Sequence, residues 1–451
     1  MGTEKVGKLM LQFAIPAIIS HLVNAAYNLI DQVLLGNAVG MLGIAATNIA
    51  FPLTTIVSAT GYLLGTGGAS NFNLRLGEGN RDAANNYAGN TLSLLAITGA
   101  AIGAVALIFI NPLIYAFGST ETVKPYALTY TSIISVGIPF GIFTIGANAL
   151  IRADGSPRYA MVCNLVGALL NLVVDPIIAF VLKWGVAGLA WSTTIGQMLT
   201  AGMSVFYFMK RAKTISLKRW DFRPKVHLTK RISALGVPPC INELGVSVLG
   251  IAMNNTFRYY GALSVYGSDV PLGCIGAITK LSVLFMAFPT GLGQGCQPIH
   301  GFNYGAKQYD RVKKTLRLAV LVASLFSIAV FAVFQLFPRQ LMVIFGVNDP
   351  TYLEFATRYL RVFMFMVFLR GIQPVAATFF PAIGKYQRGL WIALSRQTLF
   401  ILPLVLILPL FFGLDGALYS GPVSDFLAGC VSAYFIVTEM KKISLLSAEG
   451  H

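Results

Sequence analysis

Asn171-Leu-Val-Val-Asp175-Pro176 lies inside an apolar run that extends from Met161 to Leu182. A run of this length crosses a bilayer as one helix, for which about 20 mostly apolar residues are needed. A carboxylate in the middle of such a helix costs roughly 2.5–3.5 kcal/mol on insertion scales, so it marks a functional site by default. Asn171 and Asp175 are spaced i,i+4 and share one helix face, and Asn164 falls on the same stripe. The first apolar run carries a matching feature, with His21, Asn24, Asn28 and Asp31 along one helical face. Two membrane helices, each with an aspartate flanked by amides, are expected to form two sides of one polar pocket.

The rest of the chain agrees with a membrane setting. Its 451 residues are 56% hydrophobic and 11% charged, with a mean hydropathy of +0.71; soluble domains carry about 25% charged residues. The apolar runs do not alternate in the manner of barrel strands. Twelve spans are predicted, near 10–36, 44–72, 86–112, 124–152, 157–182, 186–210, 232–260, 272–300, 315–338, 352–381, 388–410 and 415–440. With the N-terminus inside, the inner segments hold about 24 of the 33 Lys and Arg, the asymmetry of the positive-inside rule. Both termini are then expected in the cytoplasm. The net charge of +16 is therefore a topology signal, and no nucleic-acid partner is expected for the basic loop Lys210–Arg231. The five cysteines form no CxxC pair, so neither a disulfide framework nor a zinc site is indicated. The first run contains Asn24, Asn28 and Asp31 and is too long for a signal peptide, so it reads as a retained span.

The chain also repeats itself. Gly65-Thr-Gly67 recurs as Gly293-Gln-Gly295, Gly77 as Gly305, Phe117-Gly118 as Phe345-Gly346, and Gly185-Val-Ala-Gly188 as Gly413-Leu-Asp-Gly416, each pair 228 apart (293 − 65). Ile15-Pro16 and Val237-Pro238 are offset by 222 (238 − 16), which fits a longer loop between the seventh and eighth spans, around 260–271. The expected fold is all-α: two six-helix lobes, residues 1–210 and 232–451, joined by a basic cytoplasmic linker at 211–231. An even number of spans per lobe relates the two by a pseudo-twofold axis along the membrane normal, an architecture of transporters that work by alternating access. No Walker A, G-x-S-x-G or H-E-x-x-H pattern is present, so no enzyme activity is expected and energy would come from an ion gradient.

Three segments carry a family resemblance: Tyr27-Asn-Leu-Ile-Asp31, Arg152-Ala-Asp-Gly155-Ser-Pro157, and Asn171-Leu-Val-Val-Asp175-Pro176. Gln297-Pro298 followed by Gly301-Phe-Asn-Tyr-Gly305 adds a fourth. With the six-plus-six repeat, the chain resembles the multidrug and toxic compound extrusion (MATE) family over nearly its whole length, and its bacterial DNA-damage-inducible and multidrug branch in particular. The resemblance implies secondary active efflux of amphipathic, cationic drugs or toxic compounds in exchange for protons or sodium, with no cofactor. It implies a monomer in the bacterial inner membrane and a contribution to antibiotic resistance. It also implies a cation or proton site in the N-terminal lobe, comprising Asp31, Asn148, Asn171, Asp175 and Thr193. These five are the candidate ligands if the ion is sodium, and Asn28 lies on the same face of the first span.

The chain departs from the family in the C-terminal lobe. Another branch uses acids in the seventh and tenth spans; here Glu243 occupies the seventh, while the tenth has only Glu354 at its mouth. Glu243 is expected either to line the substrate cavity or to knot a helix. Asp425 is expected to pair with Arg396 or another buried base, and Arg152, Asp154 and Arg158 to form a turn at an inner gate. The alternative function is a flippase for lipid-linked oligosaccharides, whose cavity would be basic to hold pyrophosphate; Asp31, Asp175 and Glu243 favour cations instead.

Overall fold

The long apolar runs fold as helices because backbone N–H and C=O groups within a bilayer can be satisfied only inside the segment. The computed structural model describes residues 1–344 and 349–449. The first half comprises α1 (Val6–Val39), α2 (Met41–Gly77), α3 (Arg81–Ile108) with the short α4 (Ile110–Ala116), α5 (Lys124–Ala153), α6 (Pro157–Pro176) and α7 (Gly185–Lys210). The second comprises α8 (Val226–Ala262), α9 (Asp269–Gly305), α10 (Tyr309–Leu336) with α11 (Pro338–Val343), and the broken tenth span of α12 (Pro350–Phe363), α13 (Val367–Arg370) and α14 (Ile372–Ala382). It ends with α15 (Tyr386–Leu394), α16 (Leu402–Phe412) and α17 (Leu414–Glu449).

Among the described residues, ten helices are long and apolar enough to cross a membrane, and the tenth span makes eleven as a pair bent by 52°. The twelfth is α7, 26 residues long, whose hydropathy is diluted by Ser192, Thr193, Thr194, Gln197, Thr200 and Ser204. The repeat is visible in the helix bounds themselves. α2, α3 and α4 begin at 41, 81 and 110, and α9, α10 and α11 begin 228 residues later. The inserted loop is residues 263–268, against the single Gly40 between α1 and α2. Of the glycine repeat, Phe345-Gly346 lies outside the described residues.

Within lipid, helices associate through close backbone approach at small residues rather than through the hydrophobic effect. The two lobes meet in this way. A Cβ on Gly236 (α8) would lie 1.6 Å from the Leu63 carbonyl oxygen of α2, and one on Gly67 would lie 1.9 Å from that of Ile232. Gly295 and Gly291 of α9 receive the backbone of α1 at Ala14 and Ile18, and Gly77 and Gly305 nest against Phe302 and Leu74. Gln297 donates to Ser70 Oγ at 2.9 Å across the same seam. These contacts gather towards the end of the molecule where the linker runs.

Helix α8 begins at Val226, so the last residues of the expected linker are already helical; the Asn90 side chain accepts from the Lys225 N–H at 2.7 Å and fixes that start. The remaining linker is pinned. Asp154, 1% exposed, accepts from the N–H groups of Lys213, Thr214 and Ile215 and from the Tyr207 hydroxyl, at 2.6–2.9 Å. Of the expected gate trio, Asp154 is thus the anchor that ties α5 to the linker. Asn90 Nδ2 donates to the Asp221 carbonyl and Ser93 Oγ to that of Phe222, fastening the linker to α3.

Two spans are locally widened. Beyond Pro176, whose ring removes a donor and excludes the preceding turn, residues Ile177–Leu182 form a π-turn that ends in left-handed Lys183 (φ 53°). In the other lobe Ser395–Ile401 widens just before Pro403. The break in the tenth span contains no proline. Its Phe363 carbonyl is instead received by Gly421 of α17, where a Cβ would lie 2.5 Å away.

Candidate functional site

Side chains from the two polar stripes meet where α1, α6 and α7 pack together. Asn171 Nδ2 donates to the Tyr27 hydroxyl at 2.9 Å, which joins α6 to α1. Ser192 of α7 donates to Asn171 Oδ1 at 3.3 Å and lies within reach of the Asp175 carboxylate. Thr193 bonds the Leu189 carbonyl of its own helix and stands beside the Tyr27 hydroxyl. Asp175 is 1% exposed and its Oδ1 has no protein hydrogen-bond partner. Asp31, one helical turn beyond Tyr27, is partly exposed. The charges of Asp31 and Asp175 act on each other and on both Tyr27 and Tyr130. Among the described residues, neither carboxylate has a basic ion-pair partner.

Asp31, Asn171, Asp175 and Thr193 are therefore gathered around Tyr27. Asn148 is placed elsewhere: its Nδ2 donates to Asn164 Oδ1 at 2.8 Å, seven residues and about two turns from Asn171 on α6. Asn148 Oδ1 is buried without a protein partner. Asn28 donates to the Asn24 carbonyl of its own helix at 2.8 Å and is exposed. All polar atoms gathered at Tyr27 are hard oxygens except the Asn171 amide nitrogen. An orphaned carboxylate oxygen beside hydroxyl and amide oxygens suits either a proton or a sodium ion.

A second polar layer bridges the lobes. Glu243 of α8 is partly exposed, and its charge acts on Tyr62 of α2 and on Cys240. Tyr62 lies beside Gln294 of α9 and within reach of Arg152, and Gln294 also reaches His21 of α1. Glu243 makes no hydrogen bond among the described residues. Deeper in the C-terminal lobe Asp425 accepts from Arg396 Nε at 2.6 Å, the pairing expected from the sequence.

Sequence reasoning did not single out Tyr27, Tyr130, Ser192, Tyr62 or Gln294. Tyr27 was legible, standing four residues before Asp31 in the segment Tyr27-Asn-Leu-Ile-Asp31, and Ser192 adjoins Thr193. Tyr130, Tyr62 and Gln294 carry no local signal, because only helix packing brings them to these sites.

Comparison with known proteins gives a consistent answer. The MatE family model matches the chain twice, over residues 16–177 and 245–407, with starts 229 residues apart (245 − 16). The chain is 24% identical over 459 residues to the multidrug export protein MepA of Staphylococcus aureus (strain MRSA252), covering 98% of this chain and 96% of that protein. The solved MATE multidrug transporter DinF-BH is 35% identical, with 97% of each chain covered and a TM-score of 0.89. A MOP superfamily transporter from Pyrococcus furiosus Vc1 (DSM3638) shares the fold at a TM-score of 0.89, with 22% identity over 98% of this chain and 97% of that one. Two matched halves, a two-lobed membrane fold and full-length relatives place the chain in the MatE family of multidrug and toxic compound extrusion transporters.

Proposed function

We propose that the chain exports amphipathic organic cations in exchange for protons or sodium, by alternating access between its two lobes. The observation that carries this reading is the pair Asp31 and Asp175, gathered in one lobe around Tyr27 with no base paired to them among the described residues. Two carboxylates at close range in a poorly solvated site need a proton or a cation to relieve their repulsion. Either ion, by binding there, can bias the packing of α1 against α6. Asp31, Asn171, Asp175 and Thr193 would hold a sodium ion, with Asn148 entering only if α5 moves. The substrate would occupy the cleft between the lobes, where Glu243 faces Tyr62. The three acids at the two sites favour cations over the pyrophosphate of a lipid-linked saccharide.

The seam of close glycine contacts on the linker side supports a state closed towards the cytoplasm, given that the basic linker lies inside. The protein would work as a monomer in the bacterial inner membrane, with both termini cytoplasmic. Efflux of a cationic dye from proteoliposomes under separately imposed sodium and proton gradients tests the reading. One gradient should drive efflux in the wild type and fail to do so in Asp175→Asn. Near-normal driven efflux by Asp175→Asn would refute it. Cysteines at Lys218 and Lys313 should resist impermeant thiol reagents in intact cells, and one at Thr120 should react; the reverse pattern would invert the topology.

A further inference from the structure

One cluster in the C-terminal lobe buries two arginines with a single carboxylate. Arg396 and Asp425 are 3% and 1% exposed and pair through Nε and Oδ1 at 2.6 Å. Arg370, 8% exposed, lies just past the break in the tenth span. Its Nη1 donates to Ser282 Oγ at 2.8 Å and approaches the Met364 sulfur at 3.9 Å, while its Nε has no protein partner. The charges that act on Arg370 are those of Arg396 and Asp425. Asp425 pairs with Arg396 alone, and Arg370 has no ion-pair partner among the described residues. Arginine does not shed its proton in proteins, and a hydroxyl and a thioether cannot cancel a charge. An uncompensated buried ion costs several kcal/mol.

The fold itself does not require this charge. Gly155 and Gly384, both left-handed, are 229 apart (384 − 155), so Arg370 and Arg396 correspond to Gly141 and Gly167 of the other lobe, while at the 228-residue offset Asp425 and Ser282 correspond to Gln197 and Thr54. The same packing position is therefore closed with neutral residues in one lobe and with a charged trio in the other.

We propose that this cluster is a binding site for a small monovalent inorganic anion such as chloride, held between Arg370 Nε and the Ser282 hydroxyl beside Arg396. The excess charge is one, which matches a monovalent ion, and the Asp425 carboxylate disfavours sulfate or phosphate. The depth of all three charged side chains favours a bare ion over the anionic end of a substrate. Arg370 and Met364 flank the break between α12 and α13, so the bound ion would hold the bend of the tenth span. The anion would bind regardless of which cation is coupled in the other lobe.

The test is thermal unfolding of the purified full chain, titrated with sodium chloride replaced stepwise by sodium gluconate, so that sodium and ionic strength stay constant. The wild type should show a saturable rise in midpoint with chloride, reproduced by bromide and nitrate and absent with gluconate. Arg370→Gln should lose the anion dependence. Ser282→Ala should shift the half-saturating chloride concentration upward by about tenfold, the loss of one hydrogen bond from the site. No chloride-dependent rise in the wild type, or the same rise in Arg370→Gln, would overturn the proposal. If Arg370→Gln does not fold, Ser282→Ala decides: an unshifted half-saturation overturns it. An amphipathic carboxylate that displaces bromide from the wild type at lower concentration than chloride does would also overturn it, by assigning the site to substrate.

Discussion

The two lobes repeat one helical plan and fill it with opposite charge. The N-terminal interior gathers Asp31 and Asp175 around Tyr27, Asn171 and Thr193, and leaves Asp175 Oδ1 without a partner. The C-terminal interior sets Arg370 and Arg396 near Asp425, whose Oδ1 pairs with Arg396 at 2.6 Å while its Oδ2, like Asp175 Oδ1, has no protein partner. Duplication fixes where helices cross, through glycines whose missing side chains admit a neighbouring backbone. It does not fix what occupies the space between them. A carboxylate with no fixed counter-charge can exchange a proton or a cation, whereas one locked to a guanidinium cannot do so cheaply. The lobes should therefore answer differently to loss of a carboxylate.

The largest difference is expected between Asp175→Asn and Asp425→Asn. The first should abolish gradient-driven efflux while the protein inserts and unfolds as the wild type does, since the change lowers the cost of insertion. The second should leave Arg396 buried and unpaired, a loss of about 3–5 kcal/mol in stability, read as a lower unfolding midpoint. If both variants lose coupling at unchanged stability, the contrast between the lobes is wrong. Asp31→Asn should follow Asp175→Asn in the efflux assay.

Asp154 sharpens the comparison from outside the bilayer core. Asp154→Asn would set an amide NH2 against N–H donors of the linker, and should cost about 1–3 kcal/mol. Limited proteolysis should then cut the linker faster, without a change in ion selectivity. In the C-terminal lobe the analogous fastening is made by Glu439, fully buried, with Lys385 and Arg388. Of smaller size is the effect of Glu243→Gln, which should reduce efflux of the more strongly cationic dyes and spare weakly charged ones. Equal loss for all dyes with poor expression would return Glu243 to a structural role. The smallest effect separates the two amide sites. Asn171→Ala should weaken driven efflux more than Asn148→Ala, because Asn171 bonds Tyr27 directly and Asn148 bonds Asn164.

What the sequence determined is the membrane and the repeat, and it nominated the carboxylates. Bilayer-length apolar runs admit only helices, a constant 228-residue register exposes the two lobes, and an aspartate in such a run is too costly to be incidental. The i,i+4 spacing of Asn171 and Asp175 also placed them on one face, because that relation is local to a helix. The tertiary structure decided which faces meet. That Asn171 reaches Tyr27, that Asn148 turns instead to Asn164, and that Asp154 holds the linker depend on contacts between residues far apart in the chain. The break of the tenth span likewise carries no proline to announce it, and its Phe363 carbonyl meets Gly421 of another helix. Helical periodicity records direction around one axis only; the distance and rotation between axes come from packing, and the unpaired charge of Arg370 emerges only there.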